Sequence, residues 1–191
     1  TGSTGTVELN TTATVNHEEA ARFGGILKIS EGGVLQLGSD NFSSGGTSAW
    51  TPDVSSFSHI ELAGGMIKFR GGNANLGDIE VTSASELHLY DASTYDVGGS
   101  SNTLVPLDSL DLGANLNLST HWKSNVLISN LKGSNAGAVM TVGDCSDNRR
   151  MVTANVAYDF AGKINVTGGD SVLSNLHFKN TDGTADVVTL T

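Results

Sequence analysis

Cysteine is nearly absent. Cys145 is the single one, so no intrachain disulfide can form and rigidity must come from strand ladders and packing. An exported protein built that way is more typical of bacterial than of animal secretion. Basic residues are also scarce: ten Lys plus Arg stand against twenty Asp plus Glu, for a formal net charge of −10. Such a surface repels a phosphate backbone, which argues against nucleic acid as a partner, and its charge reads instead as a solubility device. Long apolar runs are missing, so the chain is not expected to span a membrane as a helix. The first residue is Thr1 rather than Met, as in a processed or trimmed product that has lost a signal segment.

What is present is glycine, with 24 residues, and an apolar fraction of 38% against 16% charged. The apolar residues are periodic, which argues against disorder. A phrase recurs in which two apolar residues at alternate positions are followed by a small or Gly-rich break and two more. It reads Leu27-Lys28-Ile29 then Val34-Leu35-Gln36-Leu37, and Ile60-Glu61-Leu62 then Met66-Ile67-Lys68-Phe69. It returns as Ile79-Glu80-Val81 with Leu87-His88-Leu89, as Leu110-Asp111-Leu112 with Leu116-Asn117-Leu118, and as Ile164-Asn165-Val166 with Val172-Leu173. Period-two alternation puts one row of side chains in a core and the other in solvent, so these are half-buried strands that turn sharply.

Residues 6–15 alternate as one strand, and residues 16–24 read as a short helix with Asn16 as N-cap, Glu19 at the capping-box position and Gly24 as stop. A polar loop follows over 39–56, carrying Trp50 and Pro52. The phrases begin 33, 19, 31 and 54 residues apart, with Val126-Leu127-Ile128 in the last gap. Intervals near 19 suit a bare coil of a solenoid and longer ones a coil with an inserted loop. The expected fold is therefore all-β, a right-handed parallel β-helix with inserted loops. The alternative is a β-sandwich or jelly roll of antiparallel hairpins, because Gly32-Gly33 and Gly64-Gly65 sit where a two-residue turn needs positive φ. One domain over 1–191 is expected, with a sub-division near 120–125 left open.

The runs Gly24-Gly25-Ile26-Leu27-Lys28-Ile29-Ser30-Glu31-Gly32-Gly33-Val34-Leu35-Gln36-Leu37-Gly38 and Leu62-Ala63-Gly64-Gly65-Met66-Ile67-Lys68-Phe69 resemble the strand repeats of autotransporter-type passengers and related bacterial exported proteins. That resemblance implies export beyond the inner membrane, the parallel β-helix, and a role at the cell surface, often in adhesion. No outer-membrane barrel accompanies it, so a passenger piece or a free secreted relative is implied.

Signatures of common chemistries are missing. His17, His59, His88, His121 and His177 show no metal-hydrolase spacing, Cys145 has no neighbouring histidine, and neither Gly-x-Ser-x-Gly nor a phosphate-cradling loop occurs. His59 and His88 read as solvent-facing strand residues. Gly143 to Arg150 reads as a polar turn pairing arginines with aspartates. Carboxylates remain as catalytic candidates, namely Asp91 and Asp96 beside Tyr90 and Tyr95, with Asp170 and Asp182 in strings that only approach the aspartic-peptidase motif. Asn180, Asp182 and Asp186 place oxygens at alternate positions around a glycine, a spacing that suits calcium or a plain turn. For carbohydrate, Trp50, Tyr90, Tyr95 and Trp122 offer aromatic platforms with His121 beside them. The expected function is an exported bacterial binding and adhesion module for host glycoprotein or polysaccharide, secreted or at the outer-membrane surface of a Gram-negative cell. The rivals are a carboxylate-dependent hydrolase, peptidase or glycosidase, acting on mucus-type glycoproteins, and a structural spacer.

Overall fold

A computed structural model describes residues 5–15, 25–37, 59–70, 76–90, 103–121, 124–143, 151–167 and 176–180. The first eight strands are β1 (Thr6–Leu9), β2 (Thr12–Val15), β3 (Ile26–Ser30), β4 (Val34–Leu37), β5 (His59–Ala63), β6 (Met66–Arg70), β7 (Asp78–Ser83) and β8 (Ser85–Tyr90). They are followed by β9 (Thr103–Leu107), β10 (Ser109–Leu112), β11 (Leu116–His121), β12 (Ser124–Lys132), β13 (Val139–Gly143), β14 (Met151–Val156), β15 (Lys163–Val166) and β16 (Leu176–Asn180). No helix occurs among the described residues; the helix expected over 16–24 lies outside them.

The strands divide into two parallel sheets. One runs β1-β3-β5-β7-β10-β12-β14-β16 with β9 beside β12, and the other runs β15-β13-β11-β8-β6-β4-β2. In the first four phrases the two couplets thus lie in different sheets, and from the first phrase to the fourth each couplet pairs with the matching couplet of the next. Leu27 stands beside Ile60 and Ile60 beside Ile79 in one sheet, while Leu35 stands beside Ile67 and Ile67 beside Leu87 in the other. This overturns the hairpin reading of the breaks. At Ser30 to Gly33 the Gly33 N–H bonds the Ser30 carbonyl at 2.8 Å, and Gly32 has φ +79°, as the third residue of a type II turn requires. The turn carries the chain from one sheet to the other instead of folding it back on itself. The topology is consistent with a solenoid-like fold.

Burial follows the alternation. Ile29, Leu62, Val81 and Leu112 form one inward row, and Leu35, Ile67, Leu87, Leu118 and Val142 form another, all in one contiguous core. In the first coil Val7, which belongs to an inward row through its partner Leu27, is 46% exposed, so this end of the core is open among the described residues. Three details depart from the expected pattern. The strand expected over 6–15 is two strands, one in each sheet. Ile164-Asn165-Val166 belongs to the second-couplet sheet, because it pairs with Met140 to Val142, so the fifth phrase was half a coil out of phase. The gap of 54 residues before it holds further rungs, since Leu110 pairs with Leu131 and Leu131 with Val156.

Small residues and side-chain hydrogen bonds manage the corners. Pro106 lies in β9, which joins the sheet beside its main path, a position that tolerates a residue without an N–H. Strand β12 carries one extra residue against β14 between Ile128 and Leu131, a bulge spanned by the Asn155 amide donating to the Ser129 carbonyl at 3.2 Å. Ser85 is buried at the third corner. Its Oγ accepts from the Gly64 N–H at 3.0 Å and donates to the Ser83 carbonyl at 2.8 Å. Ser85→Ala is therefore expected to cost about 1–3 kcal/mol, the penalty for leaving buried backbone groups without a partner, measurable by urea unfolding.

Candidate functional site

Apart from its core, a coil presents two outward faces, and the alternation assigns charge to them unequally. The strands of the nine-stranded sheet contain Glu8, Glu61, Asp78, Glu80 and Asp111 against Lys28, Lys132 and Lys179. Those of the seven-stranded sheet contain Lys68, Arg70 and Lys163 against Glu86 alone. In register, Glu8, Lys28, Glu61, Glu80, Asp111 and Lys132 succeed one another along the nine-stranded sheet. Lys28 pairs with Glu61 at 3.7 Å and Lys132 with Asp111 at 3.5 Å, while Thr82 donates to Glu61 at 3.0 Å. Ser30 donates to Glu8 across the first pair of coils. These half-exposed contacts are worth little each, and they spread the acidic charge instead of focusing it.

Both described histidines with assigned surroundings stand on outward faces, as the alternation predicts, and each meets a glutamate. His59 Nε2 lies 2.9 Å from Glu80 Oε2, reaching diagonally to the next coil, and His88 Nε2 lies 2.7 Å from Glu86 Oε2 two residues away on its own strand. Among the described residues no group of three or more His, Cys, Asp or Glu is placed to hold a metal ion. No helix among them is long and apolar enough to cross a membrane.

The seven-stranded sheet gathers chemistry at the C-terminal ends of its middle strands. Register pairs Lys68 with His88 and His88 with Ser119; two residues further on it pairs Arg70 with Tyr90 and Tyr90 with His121. Two residues expected to bind carbohydrate, Tyr90 and His121, are therefore neighbours on adjacent strands although 31 positions apart in sequence. The chain continues directly from them into 91–102 and 122–123, the segments carrying Asp91, Tyr95, Asp96 and Trp122. Those four residues lie outside the described residues, as do Trp50, Asp170, Asp182, Asp186 and Cys145. Asn180 ends β16, in register with Val156 in the other sheet.

Lys68 and Arg70 were missed on the sequence. The signal was there: superposing the apolar pair Ile67 and Phe69 on Leu87 and Leu89 sets Lys68 beside His88 and Arg70 beside Tyr90. A scan against protein-family models, a search of curated proteins and a search of solved structures each return no match.

Proposed function

We propose that this chain is a right-handed parallel β-helix, exported from a Gram-negative bacterium and secreted or held at its outer surface, that binds a host glycoprotein or polysaccharide as an adhesion module. Right-handedness follows the general rule for crossovers between parallel strands of one sheet. Export and surface placement rest on the resemblance of the Gly-Gly-x-Leu-x-Leu runs to passenger repeats.

The observation that carries the binding reading is the register of Tyr90 with His121 at one edge of the seven-stranded sheet. It sets two of the candidate saccharide contacts on adjacent strands, and Asp91 and Trp122 follow them in the sequence. Tyrosine, histidine, aspartate and tryptophan are residue types that supply the stacking and hydroxyl hydrogen bonding that sugars require.

The test is glycan-array binding of the purified chain, followed by affinity measurement on the best ligand and chromatography of that ligand after incubation. Retained binding with intact glycan is expected, and Tyr90→Ala or Trp122→Ala is expected to weaken it by about tenfold, as loss of a central aromatic contact does. Cleavage products that vanish in Asp91→Asn or Asp96→Asn would transfer the assignment to a carboxylate-dependent hydrolase. No binding and no cleavage would leave a spacer.

A further inference from the structure

We propose that the outward face carrying Lys68, His88 and Ser119, on strands whose backbone register next brings together Arg70, Tyr90 and His121, is the recognition surface and that it selects an anionic saccharide bearing carboxylate or sulfate groups. This rests on the glycan reading above and adds the chemical class of the ligand. Two observations carry it. The first is segregation: in a chain of net charge −10, the strands of this sheet hold three cations against one carboxylate, while the strands of the other hold five carboxylates against three lysines. The second is register: two of the three cations stand two residues apart on β6, directly beside β8 with its histidine and tyrosine.

Three adjacent strands and a two-residue step define a grid about 10 Å across and about 7 Å along the strands, enough for a short stretch of saccharide chain. Lys68 is half-buried, and no described residue forms an ion pair with it. Glu86, the one carboxylate in these strands, is held by His88 at 2.7 Å. A lysine and an arginine on the strand next to one carrying a tyrosine suit a sugar whose ring stacks and whose acid group needs charge-assisted donors.

The experiment compares three oligosaccharides of equal length, a uronate, a sulfated one and a neutral one, by titration calorimetry at low and high salt. The acidic ligands are expected to bind the unmodified chain about tenfold tighter than the neutral one, and to lose several-fold in affinity as salt screens the cations. Lys68→Gln with Arg70→Gln is expected to abolish that preference. Lys163→Gln, on β15 of the same sheet, is expected to leave it intact. Tighter binding of the uronate or of the sulfated ligand alone supports the inference and identifies the acid group. Equal affinity for all three ligands, or a preference untouched by high salt and by the double variant, overturns it while leaving the glycan reading in place. Failure to bind any saccharide on a broad array overturns both. The salt dependence is read on the unmodified protein and does not depend on how the variants fold.

Discussion

Leu62→Ala is expected to destabilise the chain by about 2–5 kcal/mol, whereas Glu61→Ala, one residue earlier, is expected to change stability by less than about 0.5 kcal/mol. The contrast comes from the strand period. Leu62 is fully buried between Ile29 of the preceding coil and Val81 of the following one, so truncating it leaves a cavity bounded above and below by rungs that the backbone ladders hold in place. Glu61 points the other way, and its contacts to Lys28 and Thr82 are partly open to water. In a stack each coil touches only its neighbours, so a weak middle rung also lowers the cooperativity between the two ends. Urea unfolding followed by far-ultraviolet dichroism measures both variants. Equal effects would mean that the alternation has been assigned to the wrong faces.

Gly65→Ala is expected to cost about 1–3 kcal/mol, although alanine is otherwise the better residue in ordered backbone. A Cβ at this position would collide with Ile29 Cγ2 and lie 2.7 Å from the Ser30 carbonyl oxygen and 2.8 Å from that of Ile29. Two of those atoms are backbone and cannot swing aside. The close approach arises because short breaks pull the two sheets together at this corner. Met66 donates to the Gly33 carbonyl at 2.9 Å and Glu86 to the Gly65 carbonyl at 3.1 Å, so Gly33, Gly65 and Ser85 succeed one another in a row of small residues. Further along the stack the same row continues as Leu116, Met140 and Ile164, large residues where the first rungs have small ones. Gly137→Ala in an exposed turn, where the nearest neighbour is the Asn135 side-chain oxygen at 3.3 Å, is expected to cost less than about 0.5 kcal/mol. Thermal midpoints of the two variants check the difference; a Gly65→Ala protein as stable as its parent would contradict the packing described for this corner.

The first four phrases were legible because strict alternation of large apolar residues admits one assignment of faces, and Leu27, Ile60, Ile79 and Leu110 all fall in the nine-stranded sheet. A hairpin alternative stayed open for their breaks because glycine at positive φ serves equally a turn back and a turn onward. The choice lies in pairing between coils 19 to 33 residues apart, which local patterns do not contain. The later coils were missed where the breaks lengthen to 133–138 and 157–162 and where inward positions are filled by Ala138 and Ala154 rather than leucine. In the candidate site, Tyr90 and His121 were singled out by residue type, but their adjacency needed the register. The contact from His59 to Glu80 needed more still, because it runs diagonally between rungs through side-chain reach.

Parallel register between successive coils is the premise of both the fold and the proposed binding edge, and engineered cross-linking reports on it directly. In a Cys145→Ser background, Tyr90→Cys with His121→Cys is expected to close a disulfide in near-complete yield under mild oxidation, because Cα atoms on neighbouring parallel strands fall within about 4.4–6.8 Å. Glu80→Cys with His88→Cys, which faces across the break as a hairpin would align it, is expected to stay reduced, since those residues lie in different sheets. The reverse outcome, a closed Glu80–His88 pair and an open Tyr90–His121 pair, would contradict the stacked coils and the proposed recognition edge together.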